Sequence, residues 1–174
     1  MRWMELIGDQ QVYLVRVIPE IWAEVERGSL QSLDLLRPGL TARRPEFHSG
    51  DVLLLYQPQL QKPGSPPAEL SHAISVQSEF SNDTGYGLGP LFRIKPSLGR
   101  ERLLFACQKG SIPELFLRAD DRTFTLKPLT TEERQQFLEY VLNAGITLEA
   151  EAGKGGGPKG ETVGESPVIV EFEW

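Results

Sequence analysis

The stretch that decides the fold is Gly-Asp-Val-Leu-Leu-Leu-Tyr-Gln at residues 50–57, a turn that leads directly into an apolar run. Short apolar runs bounded by turn residues are typical of buried strands, and their length separates them from helices. Ser49, Gly50 and Asp51 precede this run and Pro58 follows it, so the run is too short for a helix. We therefore predict a buried strand at the centre of a sheet.

Other strands are predicted on both sides of this central strand. β-branched, aromatic and aliphatic residues that cluster, or that alternate with polar residues, are the signal for them. These stretches are residues 2–7, 11–18, 72–80, 91–95, 102–107, 123–127 and 168–174. The Gly8-Asp9 turn between the first two predicts a hairpin, and residues 81–90 predict a glycine-rich loop.

Three helices are predicted where a start signal precedes apolar residues at helical spacing. Pro19 begins the first helix, which ends at Gly28, and Ser29 caps a second, shorter helix. Thr130 and Glu133 have the spacing of a capping box, so the clearest helix begins there. Together with the strands, these elements predict a single α+β domain.

Charge is distributed unevenly along the chain. The formal net charge is −6, and hydrophobic residues make up 40% of the sequence. Six acidic residues and two lysines lie from residue 149 onward, so residues 1–148, with 18 acids and 16 bases, carry −2. A nearly neutral body argues against broad binding to a nucleic-acid backbone, which needs a basic surface. It is compatible with a small pocket for one base.

No pattern of residues indicates a catalytic or metal centre. Cys107 is the one cysteine, so an intrachain disulfide and a cysteine cluster are excluded. The spacing of His48 and His72 does not require a shared metal, and Ser49 and Asp51 lie too close to His48 in sequence to form a hydrolytic triad. We therefore predict no catalytic residues, no metal and no cofactor.

Membrane and secretion signals are also missing from the sequence pattern. No apolar stretch approaches the roughly 20 residues of a membrane span. Residues 1–5, Met-Arg-Trp-Met-Glu, lack the apolar region of a secretion signal. We predict a cytoplasmic protein with no membrane partner.

The C-terminal part of the chain differs in composition from the body. Residues 153–160 are almost entirely glycine, lysine and proline, as in a flexible linker. Residues 168–174 then predict a hydrophobic strand, which needs an edge to pair with. We predict a domain at residues 1–148, followed at 149–174 by a Gly-rich acidic linker and this strand. An alternative function is therefore a protein-interaction or oligomerisation module, in which the strand pairs with another copy or another protein.

Four motifs together resemble a known family. They are Val-Tyr-Leu-Val-Arg-Val-Ile-Pro-Glu at 12–20, His-Ser-Gly-Asp-Val-Leu-Leu-Leu-Tyr at 48–56, His-Ala-Ile-Ser-Val at 72–76, and Phe-Thr-Leu-Lys-Pro-Leu-Thr-Thr-Glu-Glu at 124–133. In order and spacing they resemble EVE domains of the PUA-like superfamily, over about residues 11–145. The resemblance implies a small, mixed, partly closed β-barrel with short flanking helices.

The resemblance also implies a function as a non-catalytic reader of nucleic acid. Such domains hold a modified nucleobase in a pocket beside the first strand and the helices that follow it. The positions that match here are Arg16, Trp22, Tyr56 and Gln57, where the aromatic rings would stack on a base and the polar groups would bond its edge. Residues 43–44, Arg43 and Arg44, lie in a predicted loop, either solvated or in contact with phosphate.

Overall fold

The computed structural model describes residues 2–31, 46–59, 63–119 and 126–151. Within these ranges eight strands of one mixed sheet combine with five helices, so the α+β class is confirmed. The predictions for Arg43, Arg44, the linker from residue 152 onward and the strand at 168–174 lie outside the described residues.

The elements follow one another along the chain without separating into helical and stranded halves. The strands are β1 (Val12–Arg16), β2 (Ser29–Leu30), β3 (Val52–Gln57), β4 (Glu69–Ser81), β5 (Gly85–Leu88), β6 (Phe92–Gly99), β7 (Leu126–Pro128) and β8 (Thr147–Ala150). The helices are α1 (Trp3–Leu6), α2 (Pro19–Glu26), α3 (Arg100–Gln108), α4 (Leu115–Arg118) and α5 (Thr131–Asn143). None of these described helices combines the length and the apolar character that a membrane crossing needs.

Strand β3 lies in the middle of the sheet, as predicted. It pairs in parallel with β1 on one side and antiparallel with β4 on the other. Strand β4 is long enough to pair on its other edge with both β6 and β5. Among the described strands β2 and β7 each have one neighbour, so these pairings do not close the sheet into a barrel.

Both faces of β3 are buried, because its apolar run serves two separate cores. Val52, Leu54 and Tyr56 belong to a core that α1, α3, α4 and α5 cover. Leu53 and Leu55 belong to a second core under α2, β2 and β5. The alternation of the run follows the period of two along a strand, and it assigns each side chain to one face of the sheet.

Helix α5 begins with the predicted capping box. The Oγ1 of Thr130 accepts from the backbone N–H of Glu133 at 3.1 Å, and the carboxylate of Glu133 accepts from the backbone N–H of Thr130 at 2.9 Å. Phe137 then stacks on Phe116, with ring centroids 5.1 Å apart, and meets Trp3 edge-on. The cap and this aromatic cluster therefore attach α5 to the first core.

The predicted strand at residues 2–7 is wrong, and so is the hairpin that it would form. This stretch is helix α1, in which Trp3 and Leu6 lie three residues apart and are both buried. The indole N–H of Trp3 donates to the carbonyl of Ile146 at 2.9 Å, just beyond α5. Four residues are too few for propensity to reveal a helix, and tertiary packing stabilises this one.

The predicted strand at residues 102–107 is also wrong, because this stretch lies in helix α3. Leu103 and Ala106 are buried at a spacing of three, whereas Leu104 and Phe105 are 43% and 58% exposed. An unbroken apolar run conceals this spacing, and periodicity alone does not separate a buried strand from a helix in such a run.

Strands β2 and β5 occupy the start of a predicted helix and part of a predicted loop, and the rest of that predicted helix lies outside the described residues. Ser29 and Leu30 pair with Gly87 and Tyr86 instead of starting a helix. The partner strand begins at Gly85, where φ is +71° and a Cβ atom would lie 2.4 Å from the carbonyl oxygen of Leu30. This close approach of two backbones explains why the segment is rich in glycine and still forms a strand.

We expect Gly85→Ala to destabilise the protein more than the matched variant Gly64→Ala. Both glycines have positive φ values, +71° and +78°, so both variants incur the roughly 1–2 kcal/mol cost of a left-handed L-residue. At Gly64 a Cβ atom would meet nothing within 4 Å, whereas at Gly85 it would overlap backbone. Urea denaturation should show a free energy of unfolding at least about 1 kcal/mol lower for Gly85→Ala than for Gly64→Ala. Equal losses would contradict the close approach of β2 and β5.

Candidate functional site

A cavity of about 160 Å³ opens where strands β1 and β3 end and helix α2 begins. We call it the Trp22 cavity. The described residues that line it are Val17, Pro19, Trp22, Gln57, Pro58, Ser65 and Pro66. Trp22 and Gln57, two of the four residues predicted to bind a ligand, therefore lie at the same cavity.

The parallel pairing of β1 and β3 creates this location. Parallel strands end at the same edge of the sheet, and the backbone N–H of Val17 donates to the carbonyl of Tyr56 at 2.8 Å there. The chain then turns directly into α2, because Pro19 suits the first turn of a helix. One helical turn later Trp22 lies beside the end of β3.

A β-bulge in β4 brings two polar side chains to the same face of the sheet. His72 pairs with Leu55 and Leu70 pairs with Tyr56, so Ser71 is an extra residue without a partner on β3. Successive side chains normally alternate, but a bulge interrupts the alternation. Both Ser71 and His72 consequently reach the side of the sheet on which Gln57 lies.

Gln57 and three residues behind the cavity form a continuous hydrogen-bond chain. The Nε2–H of Gln57 donates to the Oγ of Ser71 at 3.0 Å, and that Oγ lies 2.7 Å from the Nδ1 of His72. On the other side of the ring, Nε2 of His72 lies 2.5 Å from Oε2 of Glu151. We call these four residues, Gln57, Ser71, His72 and Glu151, the Gln57–Glu151 chain.

The Gln57–Glu151 chain supports two walls of the cavity from behind. Ser71 and His72 are 1% and 3% exposed, so their polar atoms depend on one another for hydrogen bonds. The ring of His72 also packs against Trp22, with centroids 4.9 Å apart and planes inclined by 53°. The Gln57 amide and the Trp22 ring are therefore held in place before any ligand binds.

Burial keeps the His72 ring neutral. Loss of solvent lowers the pKa of His72 from its ordinary value of 6.5, while the hydrogen bond and the charge of Glu151 raise it in part. Arg93 lowers this pKa slightly further, and Glu69 raises it slightly. Because the lowering by burial is the largest of these effects, the imidazole is uncharged at neutral pH.

The described lining of the Trp22 cavity carries no charged side chain. Its polar groups are the amide of Gln57 and the hydroxyl of Ser65, and its largest apolar surface is the Trp22 ring. Such a lining suits a neutral, planar group with a polar edge better than it suits a phosphate, which favours cationic partners.

The Gln57–Glu151 chain contains the residue types of a hydrolytic triad, but its geometry does not fit one. A nucleophilic serine must reach a substrate, whereas Ser71 is 1% exposed and is not part of the cavity lining. Its oxygen already accepts a hydrogen bond from Gln57. The role that the geometry supports for Ser71 and His72 is to position other side chains.

Arg16 and Tyr56, the other two predicted ligand-binding residues, lie on the opposite face of the sheet. Tyr56 is 1% exposed and belongs to the first core, and Arg16 is its partner in the parallel register. The Nε of Arg16 is buried and has no hydrogen-bond partner among the described residues. Tyr56 lines a second cavity, of about 310 Å³, together with six residues of α3 and α4. The four predicted residues therefore do not form one site.

Two residues that position the site were not predicted from the sequence. The role of Ser71 depends on a bulge, and no residue type marks its place. Glu151 lies 79 residues from His72 and just beyond β8, at the start of the stretch predicted as a linker. Its backbone N–H donates to the carbonyl of Leu91, so it extends the pairing beside β6.

The comparisons with known proteins leave the family open. No family model matches the chain, and no curated protein matches it either. The features of the chain that bear on its function are therefore the cavity and the residues that line and support it.

We expect acid to destabilise this fold through His72. Its folded-state pKa lies below 6.5, so below that pH the unfolded chain binds more protons than the folded chain. The neutral ring makes its full contribution to the free energy of unfolding above pH 6.5, and this contribution is lost as the pH falls through the folded-state pKa of His72.

An NMR titration tests this directly. His48→Gln leaves His72 as the one histidine, so the imidazole signals report on that ring alone. Its midpoint should lie below 6.5, and adding Glu151→Gln should lower the midpoint further, because the Glu151 hydrogen bond and charge raise this pKa. A midpoint above 6.5 would contradict the dominance of burial.

Proposed function

We propose that this chain is a non-catalytic binding module of the PUA-like type, related to EVE domains, that takes one nucleobase into the Trp22 cavity. The observation that supports this most directly is that an indole ring and a side-chain amide line one small, uncharged cavity. A base needs both, because it has two apolar faces and a polar edge.

The two groups have separate roles. Aromatic rings stack on bases through their faces, so Trp22 would supply most of the affinity. An amide bonds the polar edge of a base, so Gln57 would supply the orientation. The volume of about 160 Å³ is below the roughly 300–1,000 Å³ of pockets for drug-sized ligands, so a single base fits better than a dinucleotide.

The location of the cavity favours this proposal over a site at the second cavity. The resemblance to EVE domains implies a pocket beside the first strand and the helices that follow. The Trp22 cavity lies beside the end of β1 and the start of α2. The second cavity instead lies under α3 and α4, and its predicted aromatic residue, Tyr56, is almost completely buried.

The proposed barrel-like fold and the near-neutral surface are consistent with the same function. Strand β4 spans 13 residues and carries irregularities in its pairing with β3, β5 and β6, and such bulges bend a sheet. The charge of −2 over residues 1–148 indicates that base contacts, rather than phosphate contacts, would dominate. In a nucleic acid, the base with the modification that EVE domains read would enter the cavity while its backbone stays outside.

We expect Trp22→Ala to weaken binding of short single-stranded oligonucleotides by about 1–3 kcal/mol, the usual contribution of one stacked base. Trp22→Phe keeps an aromatic face and should retain part of the affinity. Isothermal titration calorimetry on a panel of oligonucleotides, with natural and modified bases, measures both changes.

Phe105→Ala is the matched control, because Phe105 is an exposed aromatic side chain on α3, away from the cavity. It should bind as the wild type does. Arg16→Ala distinguishes the two faces of the sheet, since it should lose less affinity than Trp22→Ala. Absence of binding by the wild type would reject the proposal, and a larger loss for Arg16→Ala would move the site to the opposite face of the sheet.

A further inference from the structure

We propose that the Gln57–Glu151 chain determines which end of the Gln57 amide faces the Trp22 cavity, so that the cavity selects a base edge that donates an N–H group. This inference rests on the proposed function and names the chemical class of ligand that the site accepts. It follows from the directions of three consecutive hydrogen bonds.

The donor-to-acceptor direction of these hydrogen bonds is set first at Glu151. A carboxylate can only accept hydrogen bonds, so the Nε2 of His72, 2.5 Å away, must carry the proton. A neutral imidazole has one N–H and one acceptor nitrogen, so the Nδ1 of His72 is then an acceptor. The carboxylate at one end therefore decides the tautomer of the ring.

The hydroxyl of Ser71 then fixes the direction of the next hydrogen bond. Its hydroxyl has one hydrogen, which must point to the Nδ1 of His72, 2.7 Å away. The Oγ of Ser71 is then left with acceptor capacity only. Its contact with Gln57 at 3.0 Å therefore requires an N–H of the amide, which agrees with the observed Nε2 donor.

The groups of the Gln57 amide that remain are its carbonyl oxygen, which lies at the end away from the nitrogen, and the second hydrogen of that nitrogen. The bond to Ser71 is the one hydrogen bond of this amide among the described residues. With its nitrogen held by Ser71, Gln57 offers an acceptor to whatever occupies the cavity. A base edge that places an N–H there pairs with it, whereas an edge that lacks the donor leaves a buried acceptor unpaired.

The hydrogen bonds of the Gln57–Glu151 chain all run in one direction because the His72 ring is neutral. A protonated His72 would donate from both nitrogens, and the Ser71 hydroxyl could then donate to the oxygen of a reversed Gln57 amide. The charged groups that act on the ring are Glu151 beyond β8, Arg93 on β6 and Glu69 on β4. The selectivity for a donor should consequently disappear in acid.

The direction of the chain can be tested without a ligand. In the His48→Gln variant, ¹⁵N NMR at neutral pH should show His72 with a protonated Nε2 and a bare Nδ1. The opposite tautomer would overturn the inference whether or not the protein binds bases.

The selectivity can be tested with two pairs of nucleosides. Adenosine and purine riboside share a ring system but differ in the exocyclic amino group, and uridine and 3-methyluridine differ in the ring N–H. In at least one pair the wild type should bind the donor-bearing nucleoside about 5- to 150-fold more tightly. Equal affinities within both pairs would overturn the inference while leaving base binding intact.

Ser71→Ala should bring the ratio of the affinities for the two nucleosides of a pair close to one, because the Gln57 amide is then free to reverse. Ser78→Ala is the matched control: Ser78 is on the same strand, its hydroxyl accepts from the backbone N–H of Gly87, and the variant should keep the wild-type ratio.

If Ser71→Ala does not fold, Glu151→Gln replaces it, since an amide at that position can donate as well as accept and no longer fixes the tautomer of His72. An unchanged ratio in a folded Ser71→Ala or Glu151→Gln variant would also overturn the inference. Failure of the wild type to bind any nucleoside would reject the proposed function, and the tautomer measurement would still decide the direction of the chain.

Discussion

The structure depends on one constraint: strand β3 must bury apolar side chains on both of its faces. Its neighbours are β1 in parallel and β4 antiparallel, and helices cover the sheet above and below. A shift of one residue in the register would exchange the two faces along the whole strand. The same constraint places Tyr56 in the first core and Gln57 at the Trp22 cavity, because adjacent residues of a strand point to opposite faces.

The elements that could be predicted from sequence are those whose signals are local. A turn and a proline bound β3, Pro19 begins α2, and the capping box of Thr130 begins α5. The elements that were missed depend on distant partners. Helix α1 is attached by Trp3 to a carbonyl near α5, and β2 exists because β5 approaches its backbone at Gly85. No local signal contains that information, so propensity gave a strand for α1 and a helix for β2.

The candidate site likewise combines residues that could be named from the sequence with residues that depend on distant partners. Trp22 and Gln57 could be named from the resemblance, and the alternation along β3 already implies that Tyr56 and Gln57 cannot face one ligand from the same side. The supporting residues could not be named. Ser71 is an extra residue in a bulge, and Glu151 meets His72 across 79 positions of sequence. A site whose walls come from a few short stretches of sequence can therefore still depend on contacts that only the folded chain creates.

The buried polar residues of this sheet are best understood as a group. A buried serine or histidine without a partner would cost stability, and apolar residues at the same places would avoid that cost. Here the side-chain polar atoms of the buried Ser71 and His72 each have a partner, and the chain ends at a carboxylate that is 28% exposed. Such a chain contributes orientation more than stability, because every member determines the direction of the next hydrogen bond. A sheet that could have been filled with valine and leucine instead carries polar residues at and behind a small cavity. That arrangement is expected if the direction of one amide matters to what enters the cavity.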